Sequence, residues 1–193
     1  MLPKNPEHYN EISIIYEIIW KNLIEGVNDR NSDFHTFALA TTNNDKVSVR
    51  TIVLRDCNKK DLYVSFHTNN TSKKIKEIKK NPNVECLFYS KNEKIQIRIS
   101  GIAKIFNDDH ICHKIWKNLK QDARNCYLID KKSGSLINSP ADVHQEHNNE
   151  VSKNFSLINI NIKKIEWLYL SSSGHRRVSF NEHNLFKGNW IVP

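Results

Sequence analysis

The sequence predicts a mainly β fold with peripheral helices, an antiparallel barrel rather than a parallel doubly wound sheet. Three observations carry that prediction. Segments of alternating apolar and polar residues recur between Phe34 and Val192. Short turns rich in Asn, Asp and Lys join most of them, without helical crossovers between neighbouring strands. Neither GxGxxG nor GxxxxGK(S/T) occurs, which argues against a nucleotide held by a glycine-rich loop.

Along the chain, Ile12, Ile15, Ile19 and Leu23 recur at helical spacing with Trp20 alongside, so residues 8–26 predict an amphipathic helix closed by Gly26. Strands are expected at 34–42, 46–56 and 61–68. In the second of these, Val47, Val49, Thr51 and Val53 share one face, and Ser48, Arg50, Ile52 and Leu54 the other. Ser72 is placed to cap a short helix reaching Lys80, which Asn81-Pro82 stops. Two strands follow at 84–90 and 94–106, then a helix from Asn107-Asp108 to about Leu119 and a second helical piece near 122–129. Residues 131–153 are polar and read as a long loop. Four more strands are expected at 155–162, 166–170, 176–180 and 185–192, and residues 1–193 read as a single domain.

The chain has 193 residues, enough for a sizeable core, and its apolar runs are too short to span a bilayer as helices. Met1 to Asn10 is polar and lacks a signal-peptide apolar region, so a cytoplasmic protein is expected. The formal charge is +8, but the lysines are spread along the chain and no nucleic-acid recognition motif accompanies them. They read as solvated surface with a few positions that need separate argument. Cys57, Cys86, Cys112 and Cys126 form no CxxC pair and read as reduced core residues. His110/His113 and His144/His147 share an HxxH spacing without further ligands, so no metal site is expected.

Four constellations carry chemistry. Arg50 and Arg55 put two guanidiniums on an otherwise apolar strand. In Phe66-His67-Thr68-Asn69-Asn70-Thr71-Ser72-Lys73-Lys74 a strand ends in a polar turn that opens a helix. Two lysines in that first turn oppose the helix dipole, an arrangement that makes sense around an anion such as phosphate. Gln96 places an amide among β-branched residues, suited to a heterocycle's carbonyl or N–H. Trp167 leads into Ser171-Ser172-Ser173-Gly174-His175-Arg176-Arg177, a loop suited to anion contacts.

In this order, the segments RTIVLR at 50–55, FHTNNTSKK at 66–74, NP at 81–82, KIQIRISG at 94–101 and WLYLSSSGHRRVSF at 167–180 carry a resemblance. The chain resembles the pyridoxamine 5′-phosphate oxidase-like, FMN-binding split-barrel family from about Phe37 to Trp190. The resemblance implies a homodimer with two FMN molecules between subunits and a small-molecule substrate. It implies that Arg50 and Lys74 hold the flavin phosphate, with His67, Thr68 and Ser72 in the same segment. Thr51, Ile52 and Val53 would line the isoalloxazine, Lys73 and Gln96 would contact the flavin, and Trp167 and Arg177 would reach it from the other subunit. Arg55 matches a lysine that touches both flavin and substrate, while His175 and Arg124 are the candidates for substrate contact.

The chain departs from true pyridoxamine-phosphate oxidases at several positions. Ser173 stands where they carry an arginine, and Lys114, Asn118 and Asp122 stand where they carry Tyr, Arg and Ser. The end reads Ile191-Val192-Pro193 instead of Arg-Leu-x-Pro. Trp116, Leu119, Arg124, Tyr127 and Leu128 resemble instead a flavin-binding oxidase-like subgroup whose substrates are generally unassigned. An FMN-dependent oxidoreductase is therefore the leading expectation. The alternative is a non-catalytic flavin or haem binding or storage protein, and reduction by a nicotinamide or a haem Soret band would separate the two.

Overall fold

The computed structural model describes residues 6–144 and 151–193. Among these, the strands are β1 (Thr36–Asn43), β2 (Lys46–Val53), β3 (Asp56–Asn58), β4 (Tyr63–Asn69), β5 (Asn83–Ser90), β6 (Ile95–Phe106), β7 (Phe155–Tyr169), β8 (Arg176–Asn181) and β9 (Asn189–Trp190). The helices are α1 (Ile12–Asn28), α2 (Lys73–Lys80), α3 (His110–Asn118) and α4 (Gln121–Asn125).

All strand pairs are antiparallel, in the order β2-β1-β5-β6-β7-β4-β3, with β8 on β7 and β9 on β8. The long strand β7 changes partner along its length. Residues 155–161 pair with β4 and residues 164–169 with β8, while β6 accompanies both parts. This divergence splits the barrel. A bulge between Ser100 and Gly101 bends β6 there, and a Cβ on Gly101 would lie 2.6 Å from the Asn161 carbonyl oxygen, which only glycine avoids. After β2 the chain turns onto β4, where the Arg55 N–H donates to the Ser65 carbonyl at 2.9 Å.

The strand register sorts side chains into an inner and an outer face. One inner row runs Ile52, Phe37, Phe88, Ile97, Trp167, Val178, and the next runs Arg50, Leu39, Cys86, Ile99, Ile165, Phe180. Apart from Arg50, every member of these rows is buried in one core, which Ile15, Ile19, Trp20 and Leu23 of α1 complete. A second, smaller core lies under α3, where Cys112 and Trp116 pack on Phe155 and Leu157 of β7. The Asp109 carboxylate caps α3 by accepting from the Cys112 N–H at 2.8 Å.

Several expectations need correction. The first helix starts at Ile12, after a 3-10 turn at Glu7–Asn10, and continues past Gly26 to Asn28. Gly26 is not a cap: a Cβ there would lie 2.3 Å from the Phe34 carbonyl oxygen, so it permits a close chain approach. The strand expected at 46–56 breaks at Leu54 and Arg55 to make the turn onto β4. The two strands expected at 155–162 and 166–170 are one, because Lys163 and Lys164 sit at the partner exchange rather than in a turn. The strand expected at 185–192 shrinks to Asn189–Trp190, since Leu185 and Phe186 adopt left-handed backbone with φ of 53° and 56°. The second helical piece is limited to Gln121–Asn125, and the polar loop contains a 3-10 turn at Pro140–Asp142. Residues 1–5, and 145–150 with His147, lie outside the described residues. Cys86 and Cys112 are buried and Cys57 is half-buried, but Cys126 is exposed, contrary to its reading as a core residue. Among the described residues no helix is long and apolar enough to cross a membrane.

Candidate functional site

At one end of the barrel the inner face of β1 and β2 turns polar, and α2 lies across it. Ser48 stands opposite Thr41 and Arg50 opposite Leu39. Glu77 projects from α2 onto this group and is only 2% exposed. Its carboxylate accepts from Thr41 Oγ1 at 2.6 Å, Ser48 Oγ at 2.8 Å and Arg50 Nη2 at 2.9 Å. Burial by itself raises the Glu77 carboxyl, but hydrogen bonds from Thr41, Ser48 and Arg50 outweigh it and lower the pKa to about 2. A second nitrogen of Arg50, Nη1, donates to the Leu39 carbonyl at 3.2 Å and to Thr41. The guanidinium is thereby fixed, with its remaining donors free of this clamp.

The first turn of α2 brings more positive charge to the same place. Lys73 Nζ lies 3.3 Å from Ser48 Oγ and 3.4 Å from Glu77. Lys74 Nζ donates to Thr68 Oγ1 at 3.0 Å, and Thr68 Oγ1 is 3.5 Å from Ser72 Oγ. Ser72 precedes α2 without its side chain capping the helix. Burial and the Arg50 charge push the Lys74 ammonium below its ordinary value, with Glu77 opposing weakly. A half-buried ammonium beside a guanidinium, with two hydroxyls at hand, is stabilised by an added anion. This donor set fits a phosphate.

The outer face of the same sheet collects a second group. The register aligns Thr51, Ala38, Leu87, Arg98 and Glu166 in one row, and Tyr89, Gln96, Leu168 and Arg177 in the next. Glu166 is buried beneath cations, accepting from Arg177 Nη2 at 2.6 Å, lying 3.4 Å from Arg98 Nη1 and pairing with Lys164. Burial works against the ionised Glu166, but bonds from Arg177 and Lys164 prevail and lower its pKa. Around these rows the face is apolar and open: Val47 and Val49 are 66% and 64% exposed, and Leu87, Tyr89 and Ile102 also face solvent.

A cavity of about 500 Å³ opens between α3 and the outer side of β4 and β7. Arg55 and Lys114 bring positive charge to it, and Asp56 one negative charge already engaged by Tyr63 Oη at 2.8 Å. His67 lines it too, and burial, helped by the Arg55 charge, lowers its pKa to about 4. The imidazole is neutral at pH 7.

The expected site residues therefore divide among three places. Arg50, Thr68, Ser72, Lys73 and Lys74 meet at the cradle; Thr51, Gln96 and Arg177 share the outer sheet face, with Val53 one row further along β2. Arg55 and His67 belong to the α3 cavity, not the cradle. Ile52 and Trp167 face the core, and Trp167 is fully buried against Tyr9 and Tyr169. Arg124 donates to the Trp116 and Lys117 carbonyls at 3.0 and 2.9 Å, finishing α3 rather than lining the cavity. His175 stands in the exposed β7–β8 turn, where its Nδ1 accepts from the Ser171 N–H at 3.0 Å. Among the described residues no cluster of metal-ligating side chains forms. Sequence reasoning missed Glu77 and Glu166. A lone acid within Lys73-Lys74-Ile75-Lys76-Glu77-Ile78-Lys79-Lys80 was the one available hint.

Residues 17–107 match the family model described as pyridoxamine 5′-phosphate oxidase, FMN-binding domain. The chain is 28% identical over 186 residues to a pyridoxine/pyridoxamine 5′-phosphate oxidase of Pelagibacter ubique, covering 90% of this chain and 86% of that one. It is 38% identical over 125 residues to its counterpart in Psychrobacter cryohalolentis, covering 64% of this chain and 56% of the other. Among solved structures, a pyridoxamine 5′-phosphate oxidase-related, FMN-binding protein of Nostoc punctiforme superposes with a TM-score of 0.76 at 20% identity, covering 92% and 96% of the two chains. PhzG of Burkholderia lata, solved with tetrahydrophenazine-1-carboxylic acid, superposes with a TM-score of 0.73 at 20% identity over 100% and 99%.

Proposed function

We propose that this chain, whose residues 17–107 match the pyridoxamine 5′-phosphate oxidase FMN-binding domain, is an FMN-dependent oxidoreductase of that family, working as a homodimer on a small molecule bound in the α3 cavity. The observation that carries the reading is the cradle. Arg50 is fixed by the buried Glu77, Lys74 has two hydroxyls for company, and together they call for a phosphate. FMN's phosphate carries close to two negative charges, which Arg50, Lys73 and Lys74, less the charge of Glu77, balance through charge-assisted hydrogen bonds.

The flavin, when bound, supplies two-electron transfer. This chain's residues do the rest. Arg50 and Lys74 hold the phosphate, and Thr68, Ser72 and Lys73 add donors. Thr51 and Val53 would line the ring system, and the Gln96 amide would contact it. Arg177, oriented by Glu166, would reach the flavin of the second subunit. The exposed apolar face of Val47, Val49, Leu87, Tyr89 and Ile102 supports the dimer, since a patch of this kind marks an association surface. Arg55 stands at the cavity beside α3, where it would steer a substrate.

The test is the absorption spectrum of the purified protein followed by reduction with a nicotinamide. Flavin bands, two per dimer, that bleach with a reductant support the reading. A colourless protein that leaves added FMN fluorescence unquenched removes it.

A further inference from the structure

The apolar outer face of the sheet carries two charges that the chain leaves poorly matched. Glu85 of β5 and Arg98 of β6 are both exposed there, among Val47, Val49, Leu87, Tyr89 and Ile102. Glu85 lies opposite Ser100 and Arg98 opposite Leu87, so the two are diagonal neighbours on one face. They do not pair with each other. Arg98 leans the other way, across to Glu166 of β7, and Glu85 forms no ion pair among the described residues. Glu166 in turn has more cations than it can serve. Arg177 takes it at 2.6 Å and Lys164 pairs with it, which leaves Arg98 at 3.4 Å with 44% of its side chain exposed. The face therefore holds one unpaired carboxylate and one loosely held guanidinium.

The shape of the face bears on the same two residues. Where β6 bulges at Ser100 and Gly101, beside Ala40 and Thr42, the surface hollows into a depression of about 600 Å³. Lys163 and Glu182 on its lining pair with each other at 2.7 Å, so Glu85 is the one unpaired charge there among the described residues. A body that covers the apolar side chains also covers Glu85, and a carboxylate taken out of water without a cation is strongly destabilising. A second copy of this chain brings the cation with it.

We propose that Glu85 of each protomer pairs with Arg98 of the partner subunit across a two-fold axis. The aliphatic stem of Arg98 lies in the depression and its guanidinium meets the carboxylate. A two-fold contact is self-complementary: the axis that carries one Glu85 to the partner's Arg98 carries the other Arg98 to the partner's Glu85. One interface thus holds two such pairs, surrounded by apolar side chains. The inference rests on the homodimer reading and adds the contact that fixes how the protomers meet.

Sedimentation velocity of the protein in saturating FMN tests it. The native protein sediments as a dimer. Glu85→Arg and Arg98→Glu each set like charges against one another and sediment as monomers at the same concentration. An equimolar mixture of the two restores a dimer, because both contacts between the unlike protomers are again of opposite sign. Glu85→Gln and Arg98→Met, which only delete charge, each raise the dimer dissociation constant about tenfold, and the double variant raises it no further. This second set, with native circular dichroism, decides the matter where a reversed charge unfolds the chain. A Glu85→Arg protein that dimerises as tightly as native overturns the pairing, as does a mixture of folded reversed variants that stays monomeric, or charge deletions whose effects add. Any of these in a protein that is natively dimeric leaves the homodimer reading standing and strikes this pairing alone. A native protein that sediments as a monomer strikes the homodimer reading itself.

Discussion

Replacing Glu77 with alanine removes one acceptor from Thr41, Ser48 and Arg50 together, at 2.6, 2.8 and 2.9 Å. The fourth neighbour, Lys73, is mostly in solvent and its pairing at 3.4 Å adds little. Breaking a buried ion pair by deleting one partner costs about 3–5 kcal/mol. The Arg50 side chain retains 22% exposure and regains some water, so the lower end of that range applies. For a chain of this size, about 3 kcal/mol lowers Tm by about 6–12 °C. Thermal unfolding followed by circular dichroism measures it. Glu77→Gln, which keeps the volume and one acceptor, falls between native and alanine. The pH dependence supplies a second readout. The folded-state pKa of about 2 lies below the ordinary 4.5, so the stabilisation is complete above pH 4.5 and disappears as pH falls toward 2. Across that window the gap in Tm between the native protein and Glu77→Gln closes. A Glu77→Ala protein that melts within about 2 °C of native at pH 7, or a gap independent of pH, refutes the reasoning.

Two further outcomes follow from the geometry. His67 is held neutral in the fold with a pKa near 4 against an ordinary 6.5, so the unfolded chain takes up the proton first as pH falls. Its contribution is intact above pH 6.5 and is lost toward pH 4, and His67→Gln flattens the stability profile in that interval, as pH-dependent urea unfolding will show. Val49→Asp places a charge on a residue 64% exposed in the isolated chain, so the fold survives while the face ceases to be apolar. Light scattering is expected to find a monomer that binds FMN weakly; an unaltered dimer places the interface elsewhere.

Alternation along the strands made most of the sheet legible, because period-two patterning is a local property. It could not say which face of a strand meets which ligand. Trp167 stands at a matched position within the terminal motif, yet register puts it in the core row with Phe37 and Phe88. Arg177, ten residues on, lies on the outer face with Gln96. Glu77 was hidden for a related reason. In isolation it reads as a solvated acid paired with Lys73, and only the folding of β1 and β2 under α2 brings Thr41, Ser48 and Arg50 to it. The Lys163-Lys164 pair looks like a turn in sequence, but the sheet uses it to pass β7 from one partner to another. The cradle's cations were legible because lysines at a helix N-terminus conflict with the local dipole. The cavity was not, since its walls come from β3, β4, β7 and α3, segments remote in sequence.

Paired fluorescence titrations with FMN and with riboflavin, which lacks the phosphate, test the central claim most directly. FMN is expected to bind about a hundredfold more tightly than riboflavin, and Lys74→Met to erase about tenfold of that ratio while leaving riboflavin affinity unchanged. Equal affinity for the two flavins, or a ratio untouched in Lys74→Met, contradicts a phosphate cradle at Arg50 and Lys74.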